Sequence, residues 1–112
     1  MKMIESVIKP SALGAITKKL AELGIYGATA LECKGFGKQK GHTERYRGGR
    51  MDVGFVPKVM LKVAVKAEDL EKAVEAITSS ARSGNVGDGK VFVYDLDKVV
   101  RIRTGETDHD AL

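Results

Sequence analysis

Three segments of this 112-residue chain set glycine or paired arginine where an anion could be held. Gly35-Phe36-Gly37-Lys38-Gln39-Lys40-Gly41 follows a strand-like run. Its spacing is GxGxxxG and no helix follows, so it is not a dinucleotide fingerprint, which needs GxGxxG opening a helix. It is either glycine-freed backbone beside lysines, able to cradle an anion, or simply a supple start to a loop. Gly84-Asn85-Val86-Gly87-Asp88-Gly89-Lys90 lies between a helical pattern and a strand. It is not a P-loop, which needs GxxxxGK[ST]. Its glycines admit close approach to phosphate oxygens, with Lys90 adding charge; the plain alternative is a tight Asp-Gly turn. Arg101-Ile102-Arg103, if extended, puts two guanidinium groups on one side, since residues i and i+2 share a face. Such forks bind phosphate bidentately, unless they are only solvated surface arginines. Taken together, the three segments favour phosphate binding more than any one does.

Other chemistry is poorly supplied. His42 and His109 stand far apart without ligand spacing, so a histidine metal site is not expected. Cys33 is the only cysteine, which excludes a disulfide framework and a CxxC metal site and fits a reducing compartment. No Ser/His/Asp or Cys/His set is visible. Tyr46 sits in a basic stretch as a contact residue or as nothing. Aromatic residues make up 5% of the chain, too few for a single-strand stacking platform.

The elements that must position these residues read as follows. Residues 3–8 alternate as a strand, and Pro10 ends it. Ser11 is an N-cap candidate, and 12–23 puts Leu13, Ile16, Leu20 and Leu23 on one helical face. Gly24 suits the left-handed residue after a helix. Residues 27–34 read as a second strand. After Pro57, residues 59–65 alternate strongly. Residues 68–82 repeat the helical pattern, 83–90 form a glycine loop and 91–95 a short strand. The tail is polar and reads as loosely ended. The order is β-α-β, long loop, β-α-β, an α+β ferredoxin-like sandwich with both helices on one face of an antiparallel sheet. Its other face needs cover, and a homo-oligomer is the natural cover in one small domain spanning 1–112.

The long loop carries the charge. From Gly37 to Lys58 six cations face Glu44 and Asp52, so this stretch alone matches the net charge of the whole chain, +4. Loops longer than about 12–15 residues are uncommon and usually functional or disordered. The pI near 9.2 permits anionic partners without demanding nucleic acid. No run approaches a membrane span of about 20 residues. The first residues lack the apolar core of a signal peptide, and a cytoplasmic location is expected.

Five segments carry a specific resemblance: Ile8-Lys9-Pro10, Lys34 to Gly48, Val56-Pro57-Lys58, the GDGK at 87–90 and Val99 to Glu106. Through them the chain resembles the PII nitrogen-regulatory signal-transduction family along its whole length. The resemblance implies a homotrimer of ferredoxin-like subunits with ATP or ADP in the clefts between neighbours. It further implies 2-oxoglutarate beside Mg-ATP. Val7, Thr29 and Ala64 would surround the adenine and ribose. Gly37, Lys38, Gln39, Lys40, Gly87, Asp88, Gly89 and Lys90 would meet the phosphates, with Arg101 and Arg103 reaching in, and Gly35 would also touch the nucleotide. Gln39, Lys40, Lys58 and Gly87 would hold 2-oxoglutarate, and Gln39 would close the Mg²⁺ shell. Residues about 37–55 would be the T-loop, about 82–90 the B-loop and about 101–112 the C-terminal loop. Arg45, Tyr46, Arg47 and Arg50 would meet a partner, either a metabolic enzyme or a transporter such as an ammonium channel. Binding a transporter would recruit the protein to the inner membrane face, without inserting it.

The chain also departs from the family. Met51 stands where some members carry a uridylylated tyrosine, and Gly49 where others carry a phosphorylated serine. Lys38 replaces an arginine, which keeps charge and loses the fork. Lys62 replaces a common acidic residue. Signalling by ligand alone is therefore expected. The leading reading is a ligand-gated regulator. The alternatives are a slow ATPase in the same cleft, with Asp88 as candidate base, and a nucleic-acid binder using the basic loop.

Overall fold

A computed structural model describes residues 1–37 and 54–112. Lys38, Gln39, Lys40, Arg45, Tyr46, Arg47, Gly49, Arg50 and Met51 lie outside them. Strands β1 (Lys2–Ile8), β2 (Thr29–Phe36), β3 (Phe55–Val65) and β4 (Gly89–Asp95) form one sheet in the order β2-β3-β1-β4. All three pairings are antiparallel. Helices α1 (Leu13–Glu22) and α2 (Leu70–Ala81) separate the strands of each half, which completes the expected ferredoxin-like arrangement.

Alternation decides which sheet face is buried. Ile4, Ser6 and Ile8 of β1 and Val59, Leu61, Val63 and Val65 of β3 point to the helices. Ile16 and Leu20 of α1, Ala73, Ala76 and Ile77 of α2, and Ile25 beyond α1 complete that core. Each fully buried Ile or Leu contributes about 1.5–3 kcal/mol. Ser6 is wholly buried there, and its hydroxyl has no hydrogen-bond partner among the described residues.

Several boundaries differ from expectation. Ser11 is not an N-cap: Pro10–Ala12 form a 3-10 turn, with the Ala12 N–H donating to the Lys9 carbonyl at 2.9 Å. That turn uses a donor that a cap would otherwise satisfy, and Pro10 suits its start. Leu23 is exposed, because α1 ends at Glu22. Gly24 then takes φ +78°, and the Ile25 N–H reaches back to the Leu20 carbonyl at 2.8 Å. This is the wrap-back hydrogen bond of a glycine-terminated helix.

The second half differs more. β3 begins at Phe55, so Pro57 lies inside it, opposite Lys34. Pairing with β1 starts only at Val59, opposite Ile8. Pro57 therefore has a strand on one side only, the setting in which a strand tolerates a missing N–H. Phe36 and Phe55 close this ribbon with ring centroids 5.3 Å apart. The second glycine loop is shorter than expected, since Gly89 and Lys90 already belong to β4.

The tail is not loose, and Arg101-Ile102-Arg103 is not extended. Residues 101–105 form a turn, with the Gly105 N–H bonded to the Arg101 carbonyl at 2.7 Å. The Arg101 N–H donates to the Glu106 carbonyl, and Val100 bridges Thr107. Asp108 clasps Val99 twice: its N–H donates to the Val99 carbonyl at 2.7 Å, and its carboxylate accepts the Val99 N–H at 3.2 Å.

Candidate functional site: a glycine-walled cleft

The ends of β1, β2, β3 and β4 meet at a cleft of about 380 Å³. Val7 and Phe92 form its apolar side; Gly35, Phe36 and Gly37 form one wall and Val86, Gly87, Gly89 and Lys90 the other. The volume lies within the range of small-ligand sites. Two glycine segments far apart in sequence thus become facing walls.

Lys58 is the buried charge of this cleft, and Lys90 an exposed one. Lys58 leaves β3 on the open face, opposite Cys33, and is 7% exposed. Its stem lies against Gly35, where a Cβ would come within 3.0 Å of Lys58 Cγ. Its ammonium donates to the Gly87 carbonyl at 2.5 Å, tying the two walls together. Among the described residues no carboxylate pairs with it. A buried cation with a single neutral acceptor is electrostatically unfinished.

Gly89 determines how closely the second wall can approach. Its φ is +105°, and a Cβ there would lie 1.7 Å from the Val7 carbonyl oxygen. No side chain fits. Gly87, at φ +104°, is also left-handed.

Asp88, between them, does not line the cleft. Its side chain faces the other way, beside Ile8, Thr78 and Arg82. The Ser83 N–H donates to Oδ2 at 2.7 Å and the Gly84 N–H to Oδ2 at 2.9 Å, while the Ser83 hydroxyl donates to Oδ1 at 2.5 Å. Lys9 Nζ stands 3.3 Å from Oδ1. The Ser83 hydroxyl first, then the backbone N–H groups and Lys9, hold this carboxyl far below the usual carboxylate range.

The remaining expected residues are dispersed. Thr29 and Ala64 lie on the open sheet face, Thr29 opposite Lys62 and Ala64 opposite Met3, and neither lines the cleft. Arg101 is engaged elsewhere, with Nη1 2.9 Å from Glu106 Oε1 and Nη2 donating to the Ala111 carbonyl. Arg103 does not line the cleft either. Lys62 finds its explanation on the open face. It stands opposite Glu5 and pairs with it at 3.5 Å, while the Tyr94 hydroxyl donates to the same oxygen at 2.5 Å. The Tyr94 bond chiefly, with Lys62 helping, lowers the Glu5 carboxyl; the same bond raises the Tyr94 phenol. Sequence reading missed Lys9, Ser83 and Glu106. Residue type alone does not say which polar groups meet, and nothing in the spacing brings Lys9 to Asp88 or Glu106 to Arg101.

Among the described residues no group of three or more His, Cys, Asp or Glu could hold a metal ion. No helix among them is long and apolar enough to cross a membrane.

Comparison with known proteins supplies the chain's family. The family described as nitrogen regulatory protein P-II matches residues 1–106. A nitrogen regulatory protein P-II of Rhizobium etli is 52% identical over 112 residues, covering all of both chains. That of Pasteurella multocida is 49% identical and the nitrogen regulatory protein P-II 1 of Escherichia coli K12 48% identical, each again over the full length of both chains. With a family match over nearly the whole chain and full-length relatives near half identity, this chain belongs to the nitrogen regulatory protein P-II family.

Proposed function

We propose that this protein is a ligand-gated regulator that takes a nucleotide, ATP or ADP, in the glycine-walled cleft. The observation that carries the reading is Lys58. A buried ammonium with one carbonyl partner, set between two glycine walls with Lys90 at the rim, suits the phosphates of a nucleotide. The apolar side made by Val7 and Phe92 suits a base or sugar. Family membership supports the same reading. When bound, the phosphates supply the negative charge that Lys58 lacks. The chain's own residues bind and orient: glycine backbone admits close approach, and Lys58 links that wall to the foot of β3. Residues 38–53 leave and return at Gly37 and Gly54, beside this cleft. Occupancy can therefore bias the loop through differential affinity, and the loop would address a transporter or metabolic enzyme. Mg²⁺ and 2-oxoglutarate belong to the same proposal, with Gln39 and Lys58 as their residues.

A trimer completes the proposal. Leu31, Phe92 and Tyr94 are large and exposed on the open face or at its edge. Thr29 and Ala64, at the far side of that face from Val7, would reach such a cleft from a neighbouring copy. The enzyme reading loses its candidate base: Asp88 faces away from the cleft, and a carboxylate held this acidic is a poor proton acceptor.

Calorimetry with ATP and with ADP, each with and without Mg²⁺ and 2-oxoglutarate, tests the reading. Saturable nucleotide binding is expected, weakened by Lys58→Met. No heat with any nucleotide would overturn it.

A further inference from the structure

We propose that Lys9 is a positioning residue for the cleft: it clamps Asp88 and Ser83 behind the Val86–Gly89 wall and thereby sets the backbone that faces the ligand. The inference deepens the nucleotide reading and rests on it for affinity alone.

The clamp is a small closed network. Lys9 Nζ lies 3.3 Å from Asp88 Oδ1 and 3.5 Å from the Ser83 hydroxyl. Asp88 accepts the N–H groups of Ser83 and Gly84 and the Ser83 hydroxyl. The Ser83 oxygen in turn accepts the Asn85 N–H at 3.2 Å. Residues 83–85 and 88 are thus joined through one carboxylate, and Lys9 joins that carboxylate to the end of β1. Lys9 is well anchored, since its own carbonyl accepts the Ala12 N–H at 2.9 Å. It also follows by two residues Val7, which lines the cleft.

Two physical needs are met at once. Gly87 and Gly89 carry no side chains and would leave this wall conformationally free. The clamp removes that freedom through Asp88, which stands between them. The second need is electrostatic. A carboxylate directly behind an anion-binding wall opposes the anion it is meant to receive. Lys9 offsets that charge from the side away from the cleft, so the wall keeps its Asp88 hinge without the repulsion.

The test uses the full chain and two separable measurements. Amide hydrogen exchange over residues 83–90 is read first, in the ligand-free protein. Lys9→Met, or Lys9→Gln if the former folds poorly, should lose protection at Gly84 and Asn85, and Lys9→Arg should retain it. ATP titrations follow on Lys9→Met, Asp88→Asn and the double variant. Lys9→Met should weaken ATP binding about 3- to 5-fold, the range of a partly exposed ion pair. In the double variant the charge cost of losing Lys9 should vanish, leaving an affinity equal to that of Asp88→Asn alone. Unchanged protection in Lys9→Met, or strictly additive affinity losses, would overturn the clamp. If the unaltered protein binds no ATP, the nucleotide reading falls, and the exchange measurement still decides the clamp.

Discussion

Gly89→Ala should be among the most damaging single-methyl additions to this chain, and three glycines allow its cost to be dissected. The new Cβ would sit 1.7 Å from the Val7 carbonyl oxygen and 2.9 Å from its carbon, both backbone atoms that cannot rotate away. Relief requires opening β1 from β4 where Ile8 faces Gly89 and Val7 faces Lys90. Each ladder hydrogen bond lost there costs about 1 kcal/mol. The left-handed φ adds about 1–2 kcal/mol for a residue with a Cβ. With two such bonds lost, the sum is about 3–4 kcal/mol. Gly24→Ala supplies a control with the strain and no clash: its φ is +78° and nothing lies within 4 Å. It should cost about 1–2 kcal/mol, the strain alone. Gly14→Ala, inside α1 with open space around it, should stabilise by about 0.5–1 kcal/mol. Thermal unfolding followed by circular dichroism at one fixed protein concentration reads all three, with roughly 4 °C expected per kcal/mol. A Gly89→Ala protein that melts within about 4 °C of Gly24→Ala would refute the close approach of β4 to Val7.

Three further outcomes follow from the same geometry. Lys58→Met removes a buried ammonium, so the ligand-free protein should unfold no earlier than the parent, while nucleotide affinity falls about tenfold or more; an unchanged affinity would remove Lys58 from the site. Ser6→Ala deletes a buried hydroxyl without a partner, and urea unfolding should show it neutral or up to about 1 kcal/mol more stable; a clear loss would mean that the hydroxyl is bonded. The Tyr94–Glu5 bond predicts pH dependence of opposite sign at two ends. Glu5 has a lowered folded pKa, so its contribution is present above the unfolded carboxyl value and is lost as pH falls through the folded one. Tyr94 has a raised folded pKa, so its contribution is present below about pH 10 and lost as pH rises further. Tyr94→Phe should flatten both limbs in melting curves across pH, and identical limbs would argue against the bond.

The helices and central strands were legible because their cause is local. Alternation in β1 and β3, and the four-residue spacing of Ile16 and Leu20, are properties of adjacent residues facing one core. β2 was harder to bound, because its residues are largely exposed on both faces and give burial little to pattern. Pro57 suggested a break and instead sits in β3, because strand tolerance depends on which neighbours are present, a fact about β1. The tail was unreadable for a related reason: Glu106 and Asp108 look like solvated acids until Arg101 and Val99 are brought back against them. In the site, Gly35, Gly37, Gly87, Gly89 and Lys90 were visible as glycine-cation clusters. That they face each other was not, since the pairing of strands decides it. Asp88 was visible as a site residue, but its orientation away from the cleft depends on Ser83 and Lys9.

The central position of β1 has a consequence for how the protein is made. Its first residue in the ladder, Lys2, pairs with Val65 on one side and Asp95 on the other, so the first strand of the sheet waits for its last. Such remote pairings slow folding relative to local ones. Until β4 arrives, one edge of β1 stays open, and an open edge is a template for association with other chains. The cleft, whose walls are the ends of these same strands, comes into being only when that final edge is closed. A nascent or truncated chain ending before residue 89 would hold most of the core but lack Gly89 and Lys90, the part of the second wall that β4 supplies.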